Sequence, residues 1–100
     1  MEEVKETIIV YNYFGLDLDN KELAKKIRDE KILMALAENK TVILDFQNIT
    51  FSDYGILFVM LATPIEILGL MAYKKIKIIN VAPKIRETLD FIFDDNTSNA

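Results

Sequence analysis

Four aspartates lie in loops or at strand ends, where proteins of the α/β class place their chemistry. They are Asp17, Asp19, Asp45 and Asp53. Ligand sites of open α/β sheets gather at the ends of strands, and carboxylate oxygens are ligands that Mg²⁺ prefers. One hypothesis is therefore a Mg²⁺ site with Lys84 as an accompanying cation. The alternative, which we favour, is that these carboxylates cap turns and helices, that Asp45 anchors a loop, and that no metal is bound.

The composition excludes most catalytic chemistry. The chain contains no Cys and no His, so it lacks thiol nucleophiles, thiolate metal sites, and the commonest general base and metal ligand. It also lacks a Gly-rich phosphate loop. We therefore expect a protein that is not an enzyme and that uses no cofactor. The formal net charge is −4, which opposes nucleic-acid binding because nucleic-acid binders present a basic surface.

The residues best placed to contact a partner precede and begin a helix that starts near Tyr54. Ser52 or Asp53 is in position to cap that helix. A helix N-terminus offers free N–H groups and the positive end of a dipole, which favour negative charge or phosphate. We therefore predict a partner-binding surface here, with Ser52 as a candidate phosphoacceptor and Asp45 as the loop anchor; the alternative is a plain N-cap. The predicted contact residues are Thr50, Ser52, Asp53, Tyr54, Ile56 and Leu57.

The elements that must position these residues alternate between strand and helix. Segments 4–14, 41–46 and 74–80 are rich in β-branched and aromatic residues, as is typical of strands. Helices are predicted over 20–38, from Tyr54 onward, and from Pro83 to about Phe93. This order predicts a small βαβαβα domain of the α/β class, with helices packed on a mainly parallel sheet. We expect one domain over residues 1–100, ordered from about 4 to 94, with a frayed polar tail.

The first long helix carries signals at both ends and an irregularity in its middle. Asp19 and Glu22 match a capping box, and Asn39 is a candidate C-cap. Near Glu30 the apolar positions shift by one residue relative to the spacing of a regular helix, a shift we call the slip. By contrast, the continuous apolar run TVILDF predicts a strand buried on both faces of the sheet.

Segment 56–73 is apolar and long enough to raise the question of a membrane span. Glu66 is its only charged residue before the lysines that follow, and a central charge opposes insertion. We expect instead a buried helix that Pro64 kinks or ends. Because an all-round apolar helix needs cover on every side, a docking or self-association face at 56–72, and hence a homo-oligomer, is a further hypothesis. The acidic start lacks the features of a signal peptide, so we expect a cytoplasmic protein.

The run VILDFQNITFSDYGILFVML joins a strand, a polar loop and an apolar helix. It resembles the central part of STAS domains, the fold of anti-sigma-factor antagonists, in which V-x-L-D-(L/F) leads through an apolar step into D-S-S-G and a helix. The succession VILDFQNI, FSDYG, ILFVML, IKIIN and VAPKIRETL is nearer still to the STAS-like domains of unknown function. The likeness spans residues 7–93.

This resemblance implies a non-enzymatic regulator that docks a partner such as a histidine-kinase-like ATPase. In the antagonists, that kinase phosphorylates the Ser of D-S-S-G, and the phosphate blocks docking by charge repulsion. The present loop reads S-D-Y-G, one residue shorter than the family pattern. Ser52 remains an acceptor if it aligns with the first Ser of the turn. If the position before Gly55 is the relevant one, Tyr54 occupies it and Asp53 supplies a fixed negative charge.

The sequence is also consistent with a second function. The chain would then belong to a toxin–antitoxin or phage-defence module, and its partner would be a toxin. It would neutralise that partner by covering it with the apolar helix at 56–72. Both functions are roles in protein binding, and neither needs a nucleic acid, a membrane or a metal.

Overall fold

A computed structural model describes residues 3–97 of the chain, except for the side chain of Asp17. Its centre is a three-stranded sheet in the order Lys5–Ile9 (β1), Thr41–Asp45 (β3) and Ile76–Ile79 (β5), with both strand pairs parallel. Helices pack on this sheet, which confirms the predicted α/β class. The elements are β1 (Lys5–Ile9), α1 (Tyr11–Phe14), β2 (Asp17–Leu18), α2 (Lys21–Ile27), a π turn (Arg28–Ile32), α3 (Leu33–Ala37), β3 (Thr41–Asp45), β4 (Phe51–Ser52), α4 (Tyr54–Leu68), a 3₁₀ turn (Gly69–Met71), α5 (Ala72–Lys75), β5 (Ile76–Ile79) and α6 (Pro83–Thr97).

The first strand is shorter than the sequence predicts. It ends at Ile9, which lies opposite Asp45, the last residue of β3. Because β3 ends there, the residues that follow have no strand to pair with, and they form the single turn α1 despite their β-favouring side chains. Gly15, with a φ of 73°, then leads the chain into β2, where the sequence predicts only a turn.

The slip predicted near Glu30 is a π turn between α2 and α3. Such a turn takes one extra residue, so Ile27 and Ile32, five positions apart, both lie in the core. The N-cap is Asn20, whose side chain accepts a hydrogen bond from the Leu23 N–H at 3.0 Å. The predicted cap at Asp19 is therefore wrong by one residue. The predicted C-cap at Asn39 is also wrong by one residue, since α3 ends at Ala37 and Glu38 is its C-cap; Asn39 follows in the left-handed conformation, with a φ of 61°.

The sheet has one covered face and one open face. On the helix side Val42 and Leu44 are fully buried. On the other side, Ile9 and Ile79 at the edges of the sheet are exposed. The prediction that β3 is buried on both faces is therefore confirmed on the helix side and only in part on the other, where Thr41 is buried and Ile43 and Asp45 are half-buried.

Helix α4 crosses the middle of the molecule and continues through Pro64, where the sequence predicts a kink or an end. A proline cannot donate to the carbonyl four residues earlier, which here belongs to Met60. Beside that gap, the Arg28 guanidinium donates to the Val59 carbonyl at 3.4 Å. Packing against α2 on one side and α6 on the other holds the helix across the proline.

Residues Tyr54–Lys75 form one helical stretch that is long and apolar enough to cross a membrane. Nearly half of its most apolar window is buried inside the fold, and the core helix of a soluble protein meets the same criterion. Leu57, Leu61 and Ile65 lie on its fully buried side. The burial fits the predicted core helix.

Helix α6 begins at Pro83, as predicted, and continues to Thr97, beyond the predicted end near Phe93. The polar composition of these last residues predicts a frayed tail instead. They are helical because the Tyr73 hydroxyl donates to the Asp94 carboxylate at 2.6 Å and the Thr97 side chain is buried. Residues 98–100 lie outside the description.

Candidate functional site

The predicted contact loop is held by a second, very small sheet. In it β4 pairs parallel with β2, so that Ser52 lies opposite Leu18. The Thr50 N–H donates to the Leu16 carbonyl at 3.0 Å, and the Asp53 N–H reaches the Leu18 carbonyl at 3.4 Å. The loop backbone is therefore fixed against the chain segment 16–18.

Asp53, rather than Ser52, is the N-cap of α4. Its carboxylate accepts a hydrogen bond from the Gly55 N–H at 2.7 Å, and its carbonyl accepts the N–H groups of Ile56 and Leu57 at 3.1 Å. A Cβ atom at Gly55 would lie 3.3 Å from the capping oxygen, so a larger residue would crowd the cap. The Ser52 side chain is half-buried and takes no part in this cap.

Asp45 ties the end of β3 to its surroundings. One oxygen of its carboxylate accepts the Gln47 N–H at 2.9 Å and the Asn80 side-chain amide at 3.1 Å. The first bond holds the turn that leads to the contact loop, and the second holds the end of β5. This is the geometry of a loop anchor.

Two of the predicted contact residues point inward. Ile56 is buried and Leu57 is fully buried, because this side of α4 faces the core. Including them in the contact surface was therefore wrong, and their position fixes the start of the helix instead. The accessible residues of the predicted set are Thr50, Ser52, Asp53 and Tyr54.

An aromatic patch, which we define as Tyr54, Phe58 and Phe91, adjoins the loop. The ring centroid of Tyr54 lies 6.0 Å from that of Phe58 and 6.1 Å from that of Phe91. The rings are 45%, 38% and 58% exposed. Phe58 and Phe91 are not among the surface residues predicted from the sequence. The available signal was that Phe91 falls outside the helical spacing of Ile85, Leu89 and Ile92.

Two grooves run beside the aromatic patch and share Lys84 and Thr88. The larger, of about 600 Å³, lies between Tyr54 and the α6 residues Lys84, Glu87, Thr88 and Phe91. The smaller, of about 290 Å³, is lined by Thr50, Phe51 and Ser52 on the loop side. Ser52 and Lys84 thus line one groove, so a negative charge added at Ser52 would be introduced in a groove that a cationic residue also lines.

The acidic candidates do not assemble into a metal site. Within residues 3–97, no three acidic side chains lie close enough to hold an ion. Asp45 and Asp53 instead accept backbone N–H groups, and Lys84 lines the grooves rather than a carboxylate cluster. The side chain of Asp17 lies outside the description. At Asp45 and Asp53 the hydrogen bonds are those of a loop anchor and a helix cap.

Comparison of the chain with protein-family models, with curated proteins and with solved structures finds no match. The STAS likeness therefore rests on the residues that carry it within 7–93. The fold and the site provide a loop held by backbone hydrogen bonds, an exposed aromatic patch and two adjoining grooves.

Proposed function

We propose that this protein is a non-enzymatic regulatory domain that resembles anti-sigma-factor antagonists and binds another protein through the 50–54 loop and the aromatic patch. The observation that carries the proposal is the exposure of three aromatic residues, with Tyr54 in contact with both phenylalanines, beside a hydrogen-bonded loop. Large, rigid side chains of this kind contribute most of the energy at protein interfaces. A loop that is already ordered also loses little conformational entropy on binding.

The partner we propose is a kinase-like or anti-sigma-like regulator, such as a histidine-kinase-like ATPase, in the cytoplasm. The larger groove offers this partner an apolar wall, formed by Tyr54 and Phe91, and a polar side with Lys84 and Glu87. Such a groove accepts an apolar anchor whose neighbours can make polar contacts. Asp53 adds an exposed carboxylate at the rim of the same surface.

Affinity capture from the native host tests this binding role. The bait is the wild-type chain, compared with a Tyr54→Ala/Phe91→Ala double variant and with Ile67→Ala, an exposed apolar control on α4. We expect a regulator that the wild type and Ile67→Ala retain and the double variant loses, as quantified by mass spectrometry. Equal capture by all three baits would contradict the proposal.

We extend this proposal to Ser52 as the phosphoacceptor. A phosphate adds up to two negative charges, here at a loop that already carries Asp53. Incubation of the captured kinase with ATP should label wild-type protein at Ser52 and leave Ser52→Ala unlabelled, and the labelled form should bind the partner more weakly. If mass spectrometry finds no label at Ser52 or Thr50, only the binding role remains.

One observation favours the second candidate function, the occlusion of a toxin. The end of α4 and the turn after it carry an exposed apolar patch, the α4-end patch, which we define as Ile67, Leu70 and Met71. Ile67 is 68% and Leu70 is 72% exposed. Under this alternative, Leu70→Lys would abolish protection of cells against the toxin, while Phe91→Ala would leave protection intact.

A further inference from the structure

The strand β1 forms an edge of the sheet, and its outer side is unpaired. Within residues 3–97 it pairs with β3 alone. The Val4 carbonyl accepts the Thr41 N–H at 2.8 Å, so the even-numbered residues direct their backbone groups toward β3. Because these groups alternate sides along a strand, the outward N–H and C=O groups belong to Lys5, Thr7 and Ile9.

The opposite edge of the sheet, at β5, is occupied in part by the fold itself. The Arg86 guanidinium donates to the Ile78 carbonyl at 3.0 Å, which occupies one of the outward groups of that strand. Tyr73 and Phe93 help to line a groove of about 420 Å³ along the same edge. Proteins commonly cover or cap an edge strand in this way. The edge left open to another strand is therefore β1.

The sequence of β1 is complementary to itself in one antiparallel register. A two-fold axis at Thr7 places Thr7 opposite Thr7 and Lys5 opposite Ile9 of the other copy, so all three outward residues are paired. An axis at Lys5 or at Glu6 instead places like charges opposite each other, which is destabilising. An axis at Ile8 leaves Lys5 opposite a residue of α1, which is helical. The Thr7 register alone pairs the whole edge without a charge conflict.

Exposed apolar side chains lie at both ends of this edge. Val4 is 57% exposed, and Ile9 and Tyr11 are also exposed. In the Thr7 register, Val4 of one copy lies beside Val10 and Tyr11 of the other, at each end of the paired strands. Because a two-fold axis repeats every contact, strand pairing would cover the same set of side chains at both ends of the paired strands.

We propose that two copies of this chain associate through antiparallel pairing of β1, which makes one sheet of six strands in the order β5-β3-β1-β1-β3-β5. The occupant of the open edge is thus a second copy. The outward backbone groups supply the hydrogen bonds of the new strand pair, and the register is set by Thr7. This interface is separate from the aromatic patch, so either proposal can fail without the other.

Light scattering after size exclusion, combined with charge substitutions at Thr7, tests this pairing. The wild type should have twice the chain mass of 11.5 kDa. Thr7→Lys and Thr7→Glu, each alone, place like charges opposite each other and should raise the dimer dissociation constant at least about tenfold. An equimolar mixture of the two variants should recover the dimer, because opposite charges then meet. Thr63→Lys, at an exposed position of α4, is the control and should stay dimeric.

Three results would overturn the proposal. They are a wild type that remains monomeric, Thr7 variants that keep the wild-type mass, and a mixture that fails to recover the dimer. A wild-type dimer that is indifferent to both Thr7 variants would place the interface elsewhere, for example at the α4-end patch. Circular dichroism of each variant separates loss of association from loss of folding, since Thr7 is exposed and directs its N–H away from β3.

Discussion

At Asp53 a single carboxylate fixes the start of the central helix and leaves the neighbouring Ser52 hydroxyl uncommitted. The sequence left the choice of cap open between these two residues, because Ser and Asp are both favoured at this position. The bond to the Gly55 N–H decides it. The same limit applies at Asp19 and Asn20, two adjacent residues of types that are both favoured at an N-cap; the hydrogen bond from the Leu23 N–H assigns the cap to Asn20.

Asp53→Ala should lower the free energy of unfolding by about 1 kcal/mol, which is typical for the loss of an N-cap. Asp53→Asn should change it by only a few tenths of a kcal/mol, because an amide oxygen can accept the same bond. Urea denaturation measures both values. Asp19→Ala is the control, since Asp19 is exposed and does not cap α2. A loss at Asp19 equal to that at Asp53 would contradict the assignment of the caps.

At the scale of elements, the irregular turn between α2 and α3 could be located from the sequence. The apolar spacing there has one residue too many for a regular helix, and a π turn accommodates it. The continuity of α4 could not be predicted, because it depends on packing against α2 and α6. Local propensity predicts a break at Pro64, and the tertiary contacts override it.

Deletion of Glu30 should be tolerated. Removing one residue from the π turn brings Ile27 and Ile32 to the four-residue spacing of an α-helix, so both halves keep their apolar faces toward the core. Deletion of Lys26 should destabilise strongly, because it rotates Leu23 and Ala24 away from Ile27. Thermal unfolding compares the two deletions. Equal losses of melting temperature would show that the turn has a role beyond matching the register.

The contact between α5 and α6 should respond to alkaline pH. The hydrogen bond to the Asp94 carboxylate raises the pKa of the Tyr73 hydroxyl above its ordinary value of 10.0. Above that pH the unfolded chain releases the proton that the folded chain retains, so stability falls as pH rises. The contribution is complete below pH 10.0 and is lost as pH rises through the folded pKa.

Tyr73→Phe supplies the measurement of this effect. The melting temperature of the wild type should exceed that of the variant at neutral pH, and the difference should shrink as pH rises past the ordinary pKa of tyrosine. Lysine titration affects both proteins alike and cancels in the difference. A difference that stays constant through the alkaline range would show that the Tyr73–Asp94 bond does not depend on the phenolic proton.

At the scale of the whole molecule, alternation of strands and helices predicted the class and the parallel sheet. It did not predict the open face, because the run TVILDF has the same composition whether one face or both are covered. It also did not predict the aromatic patch, because Tyr54 and Phe91 meet only when α4 packs against α6. Sequence patterns report local periodicity, whereas both of these features arise from contacts between distant elements.

The most direct test of the account is the affinity of the captured partner for Phe91→Ala, measured by calorimetry beside the wild type and Ile67→Ala. Phe91 is the most exposed residue of the aromatic patch. Because Phe91 is more than half exposed, its ring is not part of the core that α6 forms. We predict a dissociation constant about 30-fold higher for Phe91→Ala, the loss typical of a binding hot spot of about 2 kcal/mol, and no change for Ile67→Ala. An unchanged constant for Phe91→Ala with a weakened Ile67→Ala would contradict the proposed surface and favour binding through the α4-end patch.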